Sequence, residues 1–450
     1  MAAPLAVPAS PSSSKRSRSK DSTRSAATSF ANTPAANTPA LTPSASAPSL
    51  VIPSSRSQTP SVVEPSPQDP TPYPAFLRLN RADIHGKFVD LEWEQRRRLL
   101  QGAQANEPDQ QSRWARCGGD EVMNRNRYAN VDPYSNNRVK LQVPEGHSDY
   151  INASPIVLET TKSQRTLKFI ATQGPKGDSF SHVWRMIWNE IASPAVVVML
   201  TQTHEQGREK CYPYYPQTPS SPTLKVNAHD EFEDGFTHDL VLTSLVDNEE
   251  ARAQVRELDM KTEDGSETKK IWHLLFGGWP DFLIPEGDER AALLKLIQLS
   301  RDKNEDNSSN PRVVHCSAGV GRSGTFIALD YLLQELDEGS LDDVPDTEDP
   351  IFKVVGTLRQ QRMMMVQGEA QFSFLYEVVR ERWRDRWAKS NPDQAERLGL
   401  DAILVREPRA KKPRQSLASD GSGETEDEDE RAELEAELAN AGVEYDRGKT

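Results

Sequence analysis

Between residues 73 and 390 apolar and polar positions recur in two rhythms. Apolar side chains return every three to four positions across 180–190, 289–300, 325–337 and 370–386, a spacing that predicts helices with one buried face. Residues 90–104 (DLEWEQRRRLLQGAQ) are rich in helix-favouring types and end near a glycine, so a helix is expected there as well. Short β-branched runs at 196–201, 239–245 and 312–315 predict strands. Strands interleaved with helices imply a single α/β (α+β) domain: a central twisted, mostly mixed β-sheet flanked by helices.

Both rhythms fade at the ends. Residues 1–72 are dominated by Ser, Pro, Ala and Thr, with few large apolar side chains to offset the entropy of ordering, and are expected to be disordered. The SSSKRSRSK stretch around Lys15 reads first as a solvated linker, against which stand a nuclear-import patch and a transit peptide; Pro4, Pro8 and Pro11 oppose the amphipathic helix a transit peptide needs. Ser10, Thr33, Thr38, Thr42, Thr59, Ser66 and Thr71 each precede proline, as proline-directed kinases require, although Pro-rich segments produce such pairs by chance. Residues 391–450 are expected to be mostly disordered too, a basic patch (Arg409, Lys411, Lys412, Arg414) giving way to an acidic run. Residues 430–440, with Leu434 and Leu438 one turn apart, suit a short helix with little to pack on.

Composition narrows the function. The formal charge of −14 argues against wholesale nucleic-acid binding, though not against a local positive pocket. The longest apolar run near the middle, 195–200, is far short of the ~18 residues a membrane span needs. Three cysteines (Cys117, Cys211, Cys316) exclude a disulfide scaffold or Cys-rich zinc module and suit a reducing compartment, the cytoplasm with the nucleus as a second location. The 8 histidines show no ligand spacing, so no metal or other cofactor is expected.

The richest segment is 311–326, PRVVHCSAGVGRSGTF. Gly319, Gly321 and Gly324 satisfy a bare G-x-G-x-x-G, but a dinucleotide fingerprint has no use for a cysteine at its mouth or an arginine in its turn. A Walker loop fails for want of G-K-[ST]. Cys316-x5-Arg322 fits better: a thiol at the base of a loop, a guanidinium at its end, and small residues whose N–H groups turn inward as an anion nest completed by the next helix. Such a concavity suits a tetrahedral dianion and should hold Cys316 as a thiolate. Cys117 and Cys211 read as small buried hydrophobes.

These residues resemble the signature of phosphotyrosine-specific, non-receptor protein tyrosine phosphatases, (I/V)HCSAGxGRSGT, which Val314–Thr325 matches throughout. Further stretches are similar to family segments in the family's order: 126–134 to the phosphotyrosine-recognition loop, 149–154 and 169–175 to early core strands, and 197–201 with Glu205 and Lys210 to the acidic hairpin loop. Trp279-Pro-Asp281 resembles the mobile acid loop and 366–371 the glutamine loop. The likeness covers about 75–385, within a catalytic domain placed at 73–390, and implies the phosphatase-like fold, a monomer, and soluble relatives that include fungal enzymes acting on mitogen-activated protein kinases.

The resemblance implies hydrolysis of phosphotyrosine in proteins through a phosphocysteine, without metal or cofactor, in control of kinase signalling. Cys316 is the implied nucleophile, Arg322 the fork on the phosphoryl oxygens, and Asp281 the acid for the phenolate and then the base for water. Gln367 and Gln371 position that water, and Ser323 donates to the departing thiolate. His315 is expected to point away from Cys316, as successive strand residues do, and to support it from behind. Ser317, Ala318, Gly319, Val320 and Gly321 line the nest. Tyr128 stacks on the substrate ring and sets pocket depth, while Asn130, where many relatives carry Asp, reaches the substrate backbone. Glu205 holds Arg322, and Lys210 and Trp279 serve the acid loop. Leu283, at a position where the family usually has glycine, is expected to alter closure of that loop. A phosphotyrosine-binding pseudoenzyme and a dual-specificity phosphatase are the alternatives. Cys316, Asp281, Arg322 and Gln367 together oppose the first, and Tyr128 opposes the second.

Overall fold

Asn80 and Asp83 open the first long helix of the computed structural model, which describes residues 71–104, 112–280 and 283–400. The Asn80 side chain accepts the Asp83 N–H at 3.0 Å while Asp83 accepts the Asn80 N–H at 3.3 Å, a reciprocal cap. Helix α1 therefore runs Arg81–Gln104, starting nine residues before the expected 90. Further helices are α2 (Asp120–Arg125), α3 (Phe180–Glu190), α4 (Gly287–Lys303), α5 (Gly321–Asp337), α6 (Pro350–Gln361), α7 (Glu369–Ser390) and α8 (Pro392–Arg397). The helices expected between 90 and 386 all form, and α4, α5 and α7 are longer than their apolar periodicity shows because their ends are polar or glycine-rich. Helix α6 is an addition to the expected set; its start is written in Asp349-Pro350, where Asp349 accepts the N–H groups of Ile351 and Phe352 at 3.0 and 3.1 Å.

The strands are β1 (Ala153–Glu159), β2 (Thr166–Thr172), β3 (Ala195–Met199), β4 (His204–Glu205), β5 (Arg208–Glu209), β6 (Thr223–Val226), β7 (His238–Asn248), β8 (Ala253–Thr262), β9 (Thr268–Phe276) and β10 (Arg312–His315). Eight of them form one mixed sheet in the order β1-β2-β10-β3-β9-β8-β7-β6, and β4–β5 is a separate hairpin. The four central strands β2, β10, β3 and β9 run parallel, and the flanking pairs are antiparallel. The segments likened to early core strands are shifted: β1 begins only at Ala153, and β2 ends at Thr172.

Each face of the sheet has its own core. Val314, Val196, Val198 and Leu274 pack with α4–α7, while Val313, Val197 and Ile271 pack with α3. β10 is buried along its whole length, and its alternation sets the directions of the two residues at its end. His315 points to the α3 side with Val313, and Cys316 falls on the α5 side with Val314. The fold continues past 390: Ala395 and Leu400 are buried with Ala388. The arm at 1–70 and the tail at 401–450, including the expected helix at 430–440, lie outside the described residues. No helix among the described residues is long and apolar enough to cross a membrane.

Candidate active site

The loop between β10 and α5 owes its shape to glycine and to five engaged carbonyls. Gly319 has φ +73, and a Cβ there would lie 2.1 Å from the Thr172 carbonyl oxygen. The Cys316 carbonyl accepts from His315 Nδ1 at 3.2 Å and the Ser317 carbonyl from the Gly174 N–H at 2.8 Å. Those of Ala318 and Gly319 accept from Arg362 at 3.1 and 2.9 Å, and that of Val320 from the N–H groups of Gly324 and Val366 at 2.9 and 3.1 Å. In a trans peptide the C=O and the following N–H point opposite ways. Carbonyls held on the outside thus direct the N–H groups of 317–321 to the concave side, where Gly319 N–H lies 3.2 Å from Cys316 Sγ.

Arg322, in the first turn of α5, is buried and forked. Its Nη1 and Nη2 donate to the two oxygens of Glu205 at 2.7 Å each, and Nη1 also reaches the Leu200 carbonyl at 3.1 Å. Glu205 stands on the β4–β5 hairpin and also accepts from Thr201 Oγ1 and the Gln202 N–H, at 2.8 and 3.2 Å. Burial pushes its carboxyl up, but the hydrogen bonds and charge of Arg322 outweigh that, and the net shift is downward. The planar fork is thus fixed in orientation before any substrate arrives.

The pocket wall is built from neighbouring loops. Ser317 Oγ donates to the Lys210 carbonyl at 3.0 Å, which leaves Tyr128 O–H to donate to Ser317 Oγ at 2.8 Å. Asn130 is exposed two residues on, and the Lys210 side chain is buried. Gln367 and Gln371 both stand over Gly321: a Cβ there would lie 3.0 Å from Gln371 Oε1 and 3.4 Å from Gln367 Cβ. Ser323 is fully buried in α5, and its hydroxyl has no hydrogen-bond partner among the described residues. Trp279 is buried and donates its indole N–H to the Leu283 carbonyl at 3.0 Å, tying together the two feet of the acid loop. Asp281, between those feet, lies outside the described residues. The Leu283 side chain is half exposed.

His315 sits on the opposite side of β10 from the nest. Its Nε2 is 2.7 Å from Tyr214 Oη, which is 3.0 Å from His273 Nε2. Burial pushes the His315 imidazole down to about 4 and His273 well below its ordinary value, so both are neutral at pH 7. Since His315 Nδ1 faces a carbonyl, it carries the proton; Nε2 then accepts from Tyr214, whose oxygen accepts from His273 Nε2–H.

Two participants escape sequence reasoning. Arg362 is fully buried behind the nest, where it donates also to Asn152 Oδ1 at 2.7 Å and Ser154 Oγ at 3.2 Å. The other is Tyr214. The only signal for Arg362 is a charge directly before the apolar run at 363–366, and for Tyr214 there is none.

The family model for protein-tyrosine phosphatase matches residues 122–381. Tyrosine-protein phosphatase 2 of Schizosaccharomyces pombe is 34% identical over 313 residues, 68% of this chain and 40% of that one. Tyrosine-protein phosphatase 1 of Saccharomyces cerevisiae is 34% identical over 331 residues, 68% of this chain and 96% of that one. Human phosphatidylinositol phosphatase PTPRQ is 36% identical, but only 10% of its length is covered. The chain thus spans less than half the length of several relatives it matches. Among solved structures, the catalytic domain of human protein tyrosine phosphatase non-receptor type 18 aligns with TM-score 0.53 and 27% identity, over 69% of this chain and 99% of that one.

Proposed function

The chain belongs to the protein-tyrosine phosphatase family, and from that premise we propose that it hydrolyses phosphotyrosine in proteins through a phosphocysteine. One observation carries the reading: a buried Cys316 within a ring of inward N–H groups, closed by an Arg322 already forked by Glu205. The Cys316 thiolate attacks phosphorus while Arg322 and the nest hold the three equatorial oxygens. Asp281 protonates the departing phenolate, a step of this kind contributing about 10²–10⁴-fold. In the second half-reaction Gln367, with Gln371, places a water on the phosphocysteine. Asp281 removes its proton, and Ser323, whose buried hydroxyl lacks a partner among the described residues, stabilises the departing thiolate. Tyr128 and Asn130 take the tyrosine ring and its backbone.

PTPN18, a structural neighbour, has been solved in complex with phosphorylated HER2 peptides, which supports protein phosphotyrosine as the substrate class. Within that class we assign mitogen-activated protein kinases as candidate substrates and a monomer acting in the cytoplasm, with the nucleus as a second compartment. Cys316→Ser should abolish hydrolysis of p-nitrophenyl phosphate in EDTA while a phosphotyrosine peptide still binds, and Asp281→Ala should slow turnover and trap phosphoproteins for identification. Residual turnover by Cys316→Ser, or loss of wild-type activity in chelator, would overturn the mechanism.

A further inference from the structure

Gln367 is carried by a turn between α6 and α7 that does not hold its own shape. Met364 and Val366 both have φ +59, a left-handed backbone that a long or β-branched side chain resists. The turn is held instead by a fully buried guanidinium. Arg359 of α6 donates Nε to the Met365 carbonyl at 3.0 Å and Nη2 to the Val366 carbonyl at 2.9 Å. Its Nη1 reaches across to Glu92 of α1 at 2.7 Å. Gln95, one turn along α1, accepts the Met364 N–H at 3.2 Å and donates to Tyr134 Oη at 3.1 Å, and Tyr134 donates to the Arg359 carbonyl at 3.2 Å. On its other side the turn rests on the nest: Val366 N–H meets the Val320 carbonyl, and a Cβ on Gly324 would lie 2.4 Å from Val366 N.

We propose that Glu92 and Gln95 of α1 are positioning residues for the second chemical step, acting through Arg359 on the Met364–Val366 turn and so on Gln367. The inference rests on the proposed role of Gln367 in placing the attacking water. In that step the water oxygen bonds to phosphorus, the S–P bond breaks with its electron pair returning to Cys316 as thiolate, and Asp281 takes the water's proton. Among the described residues, no group assigned to the first step is in hydrogen-bond contact with Glu92 or Gln95. Loosening the turn should therefore slow hydrolysis of the phosphocysteine far more than its formation, because the Val320 carbonyl of the nest keeps its bond from the Gly324 N–H when that from Val366 weakens.

Rapid-mixing kinetics with p-nitrophenyl phosphate on the full chain test this in wild type, Glu92→Gln, Gln95→Leu, Gln367→Ala and the Glu92→Gln/Gln367→Ala double variant. Glu92→Gln should keep kcat/KM and the burst rate within about twofold while kcat falls roughly 2- to 30-fold, the span of typical long-range couplings. The burst should approach one nitrophenolate per enzyme. In the Gln367→Ala background Glu92→Gln should add almost nothing, because the two act on one element. Gln95→Leu should move kcat the same way by less, and it decides the matter if Glu92→Gln does not fold. Parallel loss of burst and turnover, or additive effects in the double variant, would overturn the proposal. A deficit in Gln367→Ala but in neither α1 variant sinks this inference alone; no deficit in Gln367→Ala sinks the water-positioning reading and this inference together.

Discussion

His315 and Cys316 are consecutive, buried and aimed at opposite faces of the sheet, and the two faces accommodate polar groups by opposite means. On the Cys316 side charge is kept. Two buried guanidinium groups, Arg322 and Arg362, stand at the nest; Glu205 pairs with the first, and the buried Asp132, itself paired with Arg116, acts on the second at longer range. On the His315 side charge is discarded. Tyr214, His273 and His315 form a neutral relay in which each hydrogen-bonded proton has one possible owner. Ion pairing keeps Glu205 ionised, and plain burial keeps the imidazoles uncharged. One strand end thus presents charged groups to the substrate and a layer of hydrogen-bonded neutral side chains behind it.

Replacing the guanidinium groups on the Cys316 side should have the largest effects. Arg322→Lys keeps the charge but loses the fork, and kcat/KM for an aryl phosphate should fall about 10²–10³-fold, the usual loss on removing an oriented donor from an anion site. A fall below tenfold would show that the charge alone suffices. Arg362→Met leaves Arg322 and Glu205 in place but frees the carbonyls of Ala318 and Gly319. Misplacement of the nest by about 1 Å should cost about 10²-fold in kcat/KM. Vanadate affinity, measured by inhibition, should weaken in parallel; unaltered vanadate binding would place the importance of Arg362 in folding instead.

The two sides also differ in how far they can be read from the sequence. The Cys316 side is local: Val314–Thr325 is contiguous, its glycines have steric reasons to be glycine, and Cys-x5-Arg fixes the partners across a single turn. Glu205 is legible only through the resemblance, since its pairing with Arg322 spans more than a hundred residues. The His315 side is assembled from three distant segments, and a tyrosine at 214 carries no local mark of the two imidazoles it bridges. Arg362 fails for a similar reason: a buried arginine satisfied by carbonyls has no sequence partner of opposite charge to betray it. Helix interiors are legible from periodicity, but α1 begins early because its cap is a polar pair upstream of the apolar stripe. The long antiparallel strands β8 and β9 escape the pattern because their alternation slips where two neighbours are both buried, at Val255–Arg256 and at His273–Leu274.

The neutral face predicts a pH effect of intermediate size. The His315 value is about 4 in the fold and about 6.5 in the unfolded chain, so between these the unfolded state binds more protons and stability falls as pH drops. The loss begins near pH 6.5 and reaches about 3 kcal/mol by pH 4, with about 2 kcal/mol already gone at pH 5. Glu205, shifted downward, adds a loss of the same sign only as pH falls through about 4.5, and so hardly touches a comparison of pH 7 with pH 5. Urea unfolding midpoints at pH 7 and pH 5 read this loss together with the like-signed ones of His273 and His238, which burial also pushes down; equal midpoints would mean that His315 is not buried as a neutral group.

The smallest change sharpens the comparison most. Tyr214→Phe retains the ring packed in the α3-side core and removes only the hydroxyl between two buried imidazole nitrogens. Losing that link should lower unfolding stability by about 1–2 kcal/mol, since His315 Nε2 and His273 Nε2–H are both left unpaired in a dry site. Because the phenol carries no charge toward the nest, kcat/KM should stay within about threefold of wild type. The separation has a geometric cause: among the described residues, the relay's side-chain hydrogen bond to the loop is that of His315 Nδ1 on the Cys316 carbonyl, and it needs only a protonated Nδ1, which the neutral tautomer keeps without Tyr214. If Tyr214→Phe instead lowered kcat/KM a hundredfold with stability intact, the rear layer would be part of the catalytic field, and the division between a charged face and a neutral backing would be wrong.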